Sequence, residues 1–273
     1  MTSLLVSAVC SWLLLRILIP YLRRGLLDHP TGRSSHSYPT PRGGGIAFVL
    51  CGVVASILYH FYGLGSAAAY LPFLSAPLAL VGLFDDRYNL PPLWRYGVQF
   101  LTAALILRFS PIVYRFGQLF DHPSFLYPLL VILLLIAITA VINFTNFMDG
   151  LDGLVAGCMA VNIFALTFAL NAPSPLWCIV GSLIGFLFWN WSPAKVFMGD
   201  VGSTFLGAVY VGLLLQSPSW NLVFGYLLVA TPLLGDASLC ILRRLFAGQR
   251  IFKAHRLHLF PVSYTHLTLP TKA

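Results

Sequence analysis

Residues 124–153 read SFLYPLLVILLLIAITAVINFTNFMDGLDG. The first two-thirds of this stretch are almost wholly apolar. A helix that crosses the hydrocarbon core needs about 20 such residues. The apolar positions run on without alternating with polar ones, so a barrel strand is excluded and a membrane helix over 124–144 is predicted. The run then ends on Asn143, Asn146, Asp149 and Asp152, each three residues after the last. If the helix continues, these four side chains share one face. Polar groups aligned at the end of a membrane helix are costly unless they meet partners. Plain helix-end polarity at the interface is the bland reading. Gly150 and Gly153 leave room for a ligand or another backbone.

Outward from this segment the pattern recurs. Apolar runs cover about 3–22, 44–62, 67–84, 96–113, 124–144, 154–171, 174–191, 203–218 and 220–238. The predicted fold is therefore an all-α polytopic integral membrane protein with about nine transmembrane helices. The eighth run is short, and an earlier start near Val196 is expected. Composition agrees. The 273 residues are 58% hydrophobic and 9% charged, with mean hydropathy +0.84. Soluble domains carry roughly 25% charged residues, so a soluble fold and a disordered chain are both excluded. All 8 acids are Asp, which marks them as more than surface decoration. The net charge of +8 suits anions at a membrane face, and no soluble body remains for binding nucleic acid. Cys10, Cys51, Cys158, Cys178 and Cys240 lie in or beside apolar runs without a CxxC, and read as core or lipid-facing residues.

The first run lacks a basic leader and is followed by Arg23 and Arg24, so it reads as a retained anchor with its N-terminus outside. Helix parity then puts 12 of the 16 basic residues on the cytoplasmic side, as the positive-inside rule demands. It puts Asp28, Asp85, Asp86, Asp149, Asp152, Asp200 and Asp236 on the same side, leaving only Asp121 outside. One site assembled from several loops is expected there.

Four further stretches carry chemistry. Leu83–Arg87 (LFDDR) pairs two carboxylates that a divalent cation or an Arg must offset; a solvated Asp–Arg loop is the bland alternative. Residues 193–203 (PAKVFMGDVGS) place Asp200 before an apolar helix, where it could cap the helix, with Lys195 near enough to hold phosphate. Residues 251–258 (IFKAHRLH) offer His255, Arg256 and His258 to an anionic partner, or form an ordinary basic loop. In the segment 28–45, Arg33, His36 and Arg42 suit anions near the bilayer. Its Gly43-Gly44-Gly45 is either a flexible end or a close-packed helix start. An ordinary Asp, with a pKa near 3.9, is a poor base for an alcohol. A phosphate monoester is already mostly ionised, and needs positioning and charge neutralisation. Phosphate-on-phosphate transfer to a lipid nucleophile fits an all-Asp site in a membrane.

Five blocks occur in family order: RSSHSYPTPRGGG (33–45), GLFDDR (82–87), NFTNFMDGLDG (143–153), PAKVFMGDVGS (193–203) and AHRLH (254–258). On these the chain resembles the polyprenyl-phosphate N-acetylhexosamine-1-phosphate transferases, glycosyltransferase family 4, over about residues 1–260. The resemblance implies a Mg²⁺-dependent enzyme (Mn²⁺ as substitute) at the cytoplasmic face of the bacterial inner membrane. It implies transfer of a HexNAc 1-phosphate from a UDP-HexNAc to undecaprenyl phosphate, with release of UMP, and admits a homodimer. By motif, Asp85, Asp86, Asp149, Asp152 and His255 match catalytic positions, and Asp200 and Asn146 metal-ligand positions. Arg33, His36, Arg42, Asn143, Lys195, Arg256 and His258 are the expected substrate-binding residues. The histidine block departs from the His-His-His form of the phospho-N-acetylmuramoyl-pentapeptide transferases. It looks closer to enzymes that begin O-antigen or related glycan synthesis, and the muramoyl reading is the alternative. A divalent-cation transporter is the competing class, and would need acids near the bilayer midplane. The string 262–273 (VSYTHLTLPTKA) is similar to a conceptually translated sequencing adapter. The transferase domain is therefore expected over 1–261, truncated, with 262–273 a non-native tail.

Overall fold

The computed structural model describes residues 2–30, 38–118 and 126–246. Among the described residues are eleven α-helices and one short ribbon. Helix α1 (Thr2–Gly25) is followed by strands β1 (Leu27–Asp28) and β2 (Thr40–Pro41), paired antiparallel. Then come α2 (Ile46–Phe61), α3 (Leu71–Tyr88), α4 (Pro92–Arg108), α5 (Pro111–Gln118) and α6 (Leu126–Phe147). The rest is α7 (Leu154–Ala169), α8 (Ser174–Asn190), α9 (Asp200–Leu214), α10 (Trp220–Val229) and α11 (Thr231–Phe246).

This is an all-α membrane protein, and the nine apolar runs fold as helical units of unequal length. Three helices are long and apolar enough to cross a membrane: α1, α6, and α3 with the single turn before it. The bent pairs α4–α5 and α10–α11 raise the number to five if each is one span. The other four, α2, α7, α8 and α9, are apolar helices of 15 to 17 residues. They fall short of the roughly 20 residues that a straight crossing needs.

The run 96–113 is not straight either: α4 and α5 meet at 64°. Pro111 has no N–H to continue the helical ladder, so the chain breaks ahead of it. Ser110 Oγ accepts from the Val113 N–H at 3.4 Å, capping α5, and donates to the Leu215 carbonyl at 2.9 Å. Gln216 Nε2 donates to the Phe109 carbonyl at 3.2 Å. The broken backbone thus finds its partners within the protein. A second bend, of 71°, separates α10 from α11 at Ala230, just before Pro232.

Helix α9 is the axis of the fold. It packs on α2, α3, α4, α6 and α7, and every residue from Val201 to Leu214 is buried. Apolar on all sides, it has no water-facing stripe to offer. Small residues set its distances, as is usual between membrane helices. Gly202 lies against Gly45, where a Cβ would strike the facing Cα. Beside this core, α1 and α8 run parallel, with Trp189 Nε1 donating to the Trp12 carbonyl at 3.2 Å. One end of the bundle therefore collects the C-termini of α1, α3, α6 and α8 and the N-termini of α2, α4, α7 and α9.

Candidate active site

The loop before α9 is clamped to the segment before α2. Phe197 N–H donates to the Pro41 carbonyl at 2.8 Å. Gly44 and Gly45 N–H donate to the Phe197 and Met198 carbonyls, both at 2.9 Å. The triple glycine is thus a close-packed helix start. Helix α9 begins at Asp200, later than the expected Val196, because residues 196–198 are used in this clamp. Nor does Asp200 cap its own helix. The cap comes across the bundle from Asp86, whose Oδ1 accepts from Asp200 N–H at 3.2 Å and Oδ2 from Val201 N–H at 3.3 Å. A carboxylate held by first-turn amides also meets the positive end of the helix dipole. Gly82, one turn earlier on α3, permits this approach: a Cβ there would lie 2.5 Å from the Asp200 carbonyl oxygen.

Asp85 faces the other way and is 8% exposed. Its Oδ1 accepts from Leu90 N–H at 2.7 Å, and its Oδ2 from Arg95 Nη1 at 2.9 Å. The same Arg95 nitrogen is 4.0 Å from Asp200 Oδ2, so one guanidinium serves two carboxylates. Asp85 and Asn146 both lie against the Asp200 carboxyl. Asn146 Nδ2 also donates to Ser203 Oγ at 3.1 Å, which ties α6 to α9. Asn143 does not join this cluster. Its Nδ2 donates to Gln99 Oε1 and to the Thr139 carbonyl, each at 2.8 Å, and Gln99 Nε2 returns a 3.3 Å bond to Asn143 Oδ1.

The expected four-residue stripe does not form, because α6 stops at Phe147. Residues 148–153 are a turn, ending with Gly153 at φ +72°. Asp149 and Asp152 therefore part company. Asp152 Oδ2 accepts from Ala194 N–H at 2.9 Å and anchors the loop before α9. Asn190 fastens the same corner, accepting from Gly153 N–H at 3.1 Å and donating to the Val196 carbonyl at 3.0 Å. Asp149 is the carboxyl whose neighbours are other acids. Burial, and then the charges of Asp200 and Asp86, push it up to about 8 against the pull of Arg42.

The expected cations are dispersed. Arg42 Nη2 pairs with Asp28 Oδ1 at 2.8 Å, giving a partner to an acid that sequence reading left without a role. Its charge is still felt at Asp149. Lys195 turns its ammonium onto the Trp189 ring, 5.4 Å from the centroid. Arg33, His36, His255, Arg256 and His258 lie outside the described residues, as do Asp121 and the tail 262–273. Two residues that sequence reading did not assign to the site are Arg95, which pairs with Asp85 and approaches Asp200, and Gln99, the partner of Asn143.

Among the described residues, no three His, Cys, Asp or Glu side chains converge as a ready-made metal cage. The donor chemistry nevertheless suits a hard cation. Mg²⁺ binds through one or two carboxylates and takes the rest of its shell from water and substrate phosphates. Asp149, raised by burial and then by neighbouring acids, is where an added positive charge is most useful.

Residues 68–217 match the family model for glycosyl transferase family 4. The chain is 28% identical over 276 residues to a probable undecaprenyl-phosphate N-acetylglucosaminyl 1-phosphate transferase of Bacillus subtilis (strain 168), covering 95% of this chain and 76% of the relative. It is 30% identical over 269 residues to the phospho-N-acetylmuramoyl-pentapeptide-transferase of Bacillus cytotoxicus, covering 89% and 82%. The enzyme of that name from Staphylococcus epidermidis (strain ATCC 12228 / FDA PCI 1200) is 27% identical over 286 residues, covering 93% and 88%. With more than half of its length inside the family model, and the carboxylates of its motif blocks gathered at one bundle end, the chain belongs to glycosyl transferase family 4, the polyprenyl-phosphate sugar-1-phosphate transferases.

Proposed function

We propose that this transferase moves an N-acetylhexosamine 1-phosphate from a UDP-sugar to undecaprenyl phosphate on the cytoplasmic face of a bacterial inner membrane. The observation that carries the reading is the meeting of Asp85, Asp86, Asn146, Asp149 and Asp200 with Arg95 at the end of an apolar bundle. A lipid phosphate enters such a site from the bilayer and a nucleotide from water. A lipid-phosphate oxygen attacks the sugar-bearing phosphorus, the bond to the UMP phosphate breaks, and UMP leaves with the electron pair. Both reactants are anions, so the barrier is chiefly one of positioning and charge. Asp200 and Asn146 would hold Mg²⁺, which when bound would neutralise the diphosphate.

The protein's own groups divide the remaining work. Asp86 fixes α9 so that Asp200 faces the site. Arg95 and Arg42 bring positive charge to the carboxylates. Asp149, whose pKa is raised by burial and then by Asp200 and Asp86, is suited to take up a proton from the lipid phosphate. The helix-end position of these acids speaks against a cation pathway, which would put them midway along the spans.

N-acetylglucosamine, the sugar in the name of the Bacillus subtilis relative, is the favoured one, and the lack of the His-His-His form weighs against the muramoyl substrate. Under this reading the reaction opens an O-antigen or related envelope glycan. Radiolabelled UDP-N-acetylglucosamine, UDP-N-acetylgalactosamine and UDP-muramoyl-pentapeptide, each offered with undecaprenyl phosphate, test it. Label should pass into the lipid fraction from a UDP-HexNAc. Transfer from the muramoyl substrate alone would select the alternative, and no transfer from any would sink the proposal.

A further inference from the structure

Gln99 and Asn143 are 44 residues apart and exchange two amide hydrogen bonds across the contact of α4 with α6. Gln99 is 4% exposed, in a run of apolar residues. A lone buried amide would be costly there; two that face each other close the account of donors and acceptors. The second Asn143 N–H is spent on Thr139 of its own helix. That leaves Asn143 Nδ2 with no hydrogen to offer a ligand.

The position of this pair is what gives it consequence. On α4, Gln99 is four residues from Arg95 and shares its face. On α6, Asn143 is three residues from Asn146 and shares that face. Arg95 reaches Asp85 and Asp200, and Asn146 reaches Ser203 beside the Asp200 carboxyl. The α4–α6 contact thus carries one seam, with the amide pair deep and the two groups that touch Asp200 nearer the helix ends. Asp200 heads a helix already fixed by Asp86. A change in the register of α4 against α6 would withdraw Arg95 from Asp200 while Asn146 stayed in place.

We infer that Gln99 and Asn143 are a positioning pair that locks the register of α4 on α6 and so holds Arg95 against Asp85 and Asp200, and that Asn143 acts through this pair with no contact to substrate. The inference rests on the transferase reading for its kinetic arm and on nothing but the fold for its second arm.

The kinetic arm uses the full chain in nanodiscs with a UDP-HexNAc and undecaprenyl phosphate. Gln99→Leu and Asn143→Leu should each lower kcat by about 10–100-fold, with KM for the UDP-sugar within about 3-fold of the parent. The exchanged double variant Gln99→Asn/Asn143→Gln, which keeps both amides, should recover most of the loss. If Asn143→Leu raises KM more than about 10-fold while Gln99→Leu is silent, Asn143 binds substrate and the inference falls. The second arm needs no turnover. Thermal unfolding of Gln99→Leu, Arg95→Gln and the double variant should be non-additive, the second change costing less once the first is made. Strict additivity overturns the inference even if transfer is measured. Absence of transfer in the parent chain defeats the functional reading alone, and leaves the thermal cycle to decide the pair.

Discussion

Asp149 and Arg95 are opposite cases of a charge at the edge of an apolar body. Burial and then neighbouring acids oppose ionisation of Asp149 and push its pKa up to about 8. The unfolded chain ionises it near 3.9. A raised carboxyl pKa means that folding stability is lost as pH rises from the unfolded value through the folded one. Asp149→Asn should therefore raise the thermal midpoint of cation-free protein by roughly 2–4 °C near neutral pH. The gain should widen from pH 6 to about 8 and then level off, while transferase activity falls at least about 100-fold. Scanning calorimetry in a chelator, beside the transfer assay, checks both signs. Arg95→Gln should act the other way. It strips Asp85 of its charged partner and should destabilise by about 1–2 kcal/mol, moderated because Arg95 is 42% exposed. Chemical unfolding in detergent measures it. At this scale the acids were legible in the sequence, because every one of them is Asp in a chain with almost no charge to spare. Arg95 was not: a guanidinium beside a membrane helix looks like any other orientation signal until Asp85 and Asp200 are seen to share it.

Helix termini, more than helix bodies, make this site. The paired acids of α3 end one helix, Asp200 starts another, and Gly82 lets the two touch. Gly82→Ala should force α3 off α9 and break the Asp86 cap. A loss of activity above about 10-fold is expected, with a smaller fall in thermal midpoint than a core cavity would cause, read by the transfer assay and a thermal shift. The cap at the bend of α5 is a purely structural counterpart. Ser110→Ala leaves the buried Leu215 carbonyl without its donor and should cost about 1–2 kcal/mol, with KM values unchanged. Sequence periodicity found the segments but not these ends. The stripe over 143–152 was drawn on a continuing helix, whereas the turn at 148–153 uses Gly153 in a left-handed conformation to stop it. The bends before Pro111 and Pro232 were likewise hidden inside apolar runs that hydropathy reads as single spans.

For the whole molecule, orientation is the open quantity that charge asymmetry addresses most directly. Cysteines placed at Arg42 and at His60, in a background without native cysteines, should be modified from opposite sides of sealed vesicles. An impermeant maleimide should reach position 42 only in inside-out vesicles and position 60 only in right-side-out ones. Removal of divalent cations should abolish transfer, and Mg²⁺ should restore it without refolding the protein. The membrane class was legible from composition, because no soluble surface can be built with 9% charged residues, and the all-α class from apolar runs that do not alternate. Helix length was not, because hydropathy measures apolarity and four of the nine apolar runs fold as helices of only 15 to 17 residues. Full enclosure of α9 has a consequence for how the protein is made. Its neighbours α2, α3, α4, α6 and α7 all leave the ribosome before it. Their shared groove therefore stands open while the ribosome adds the residues from the end of α7 to the end of α9, about 2–9 s of synthesis. During those seconds lipid or another nascent helix competes for the groove. Closure of the bundle around its own central helix, and with it assembly of the site at Asp200, is thus a late event in biogenesis.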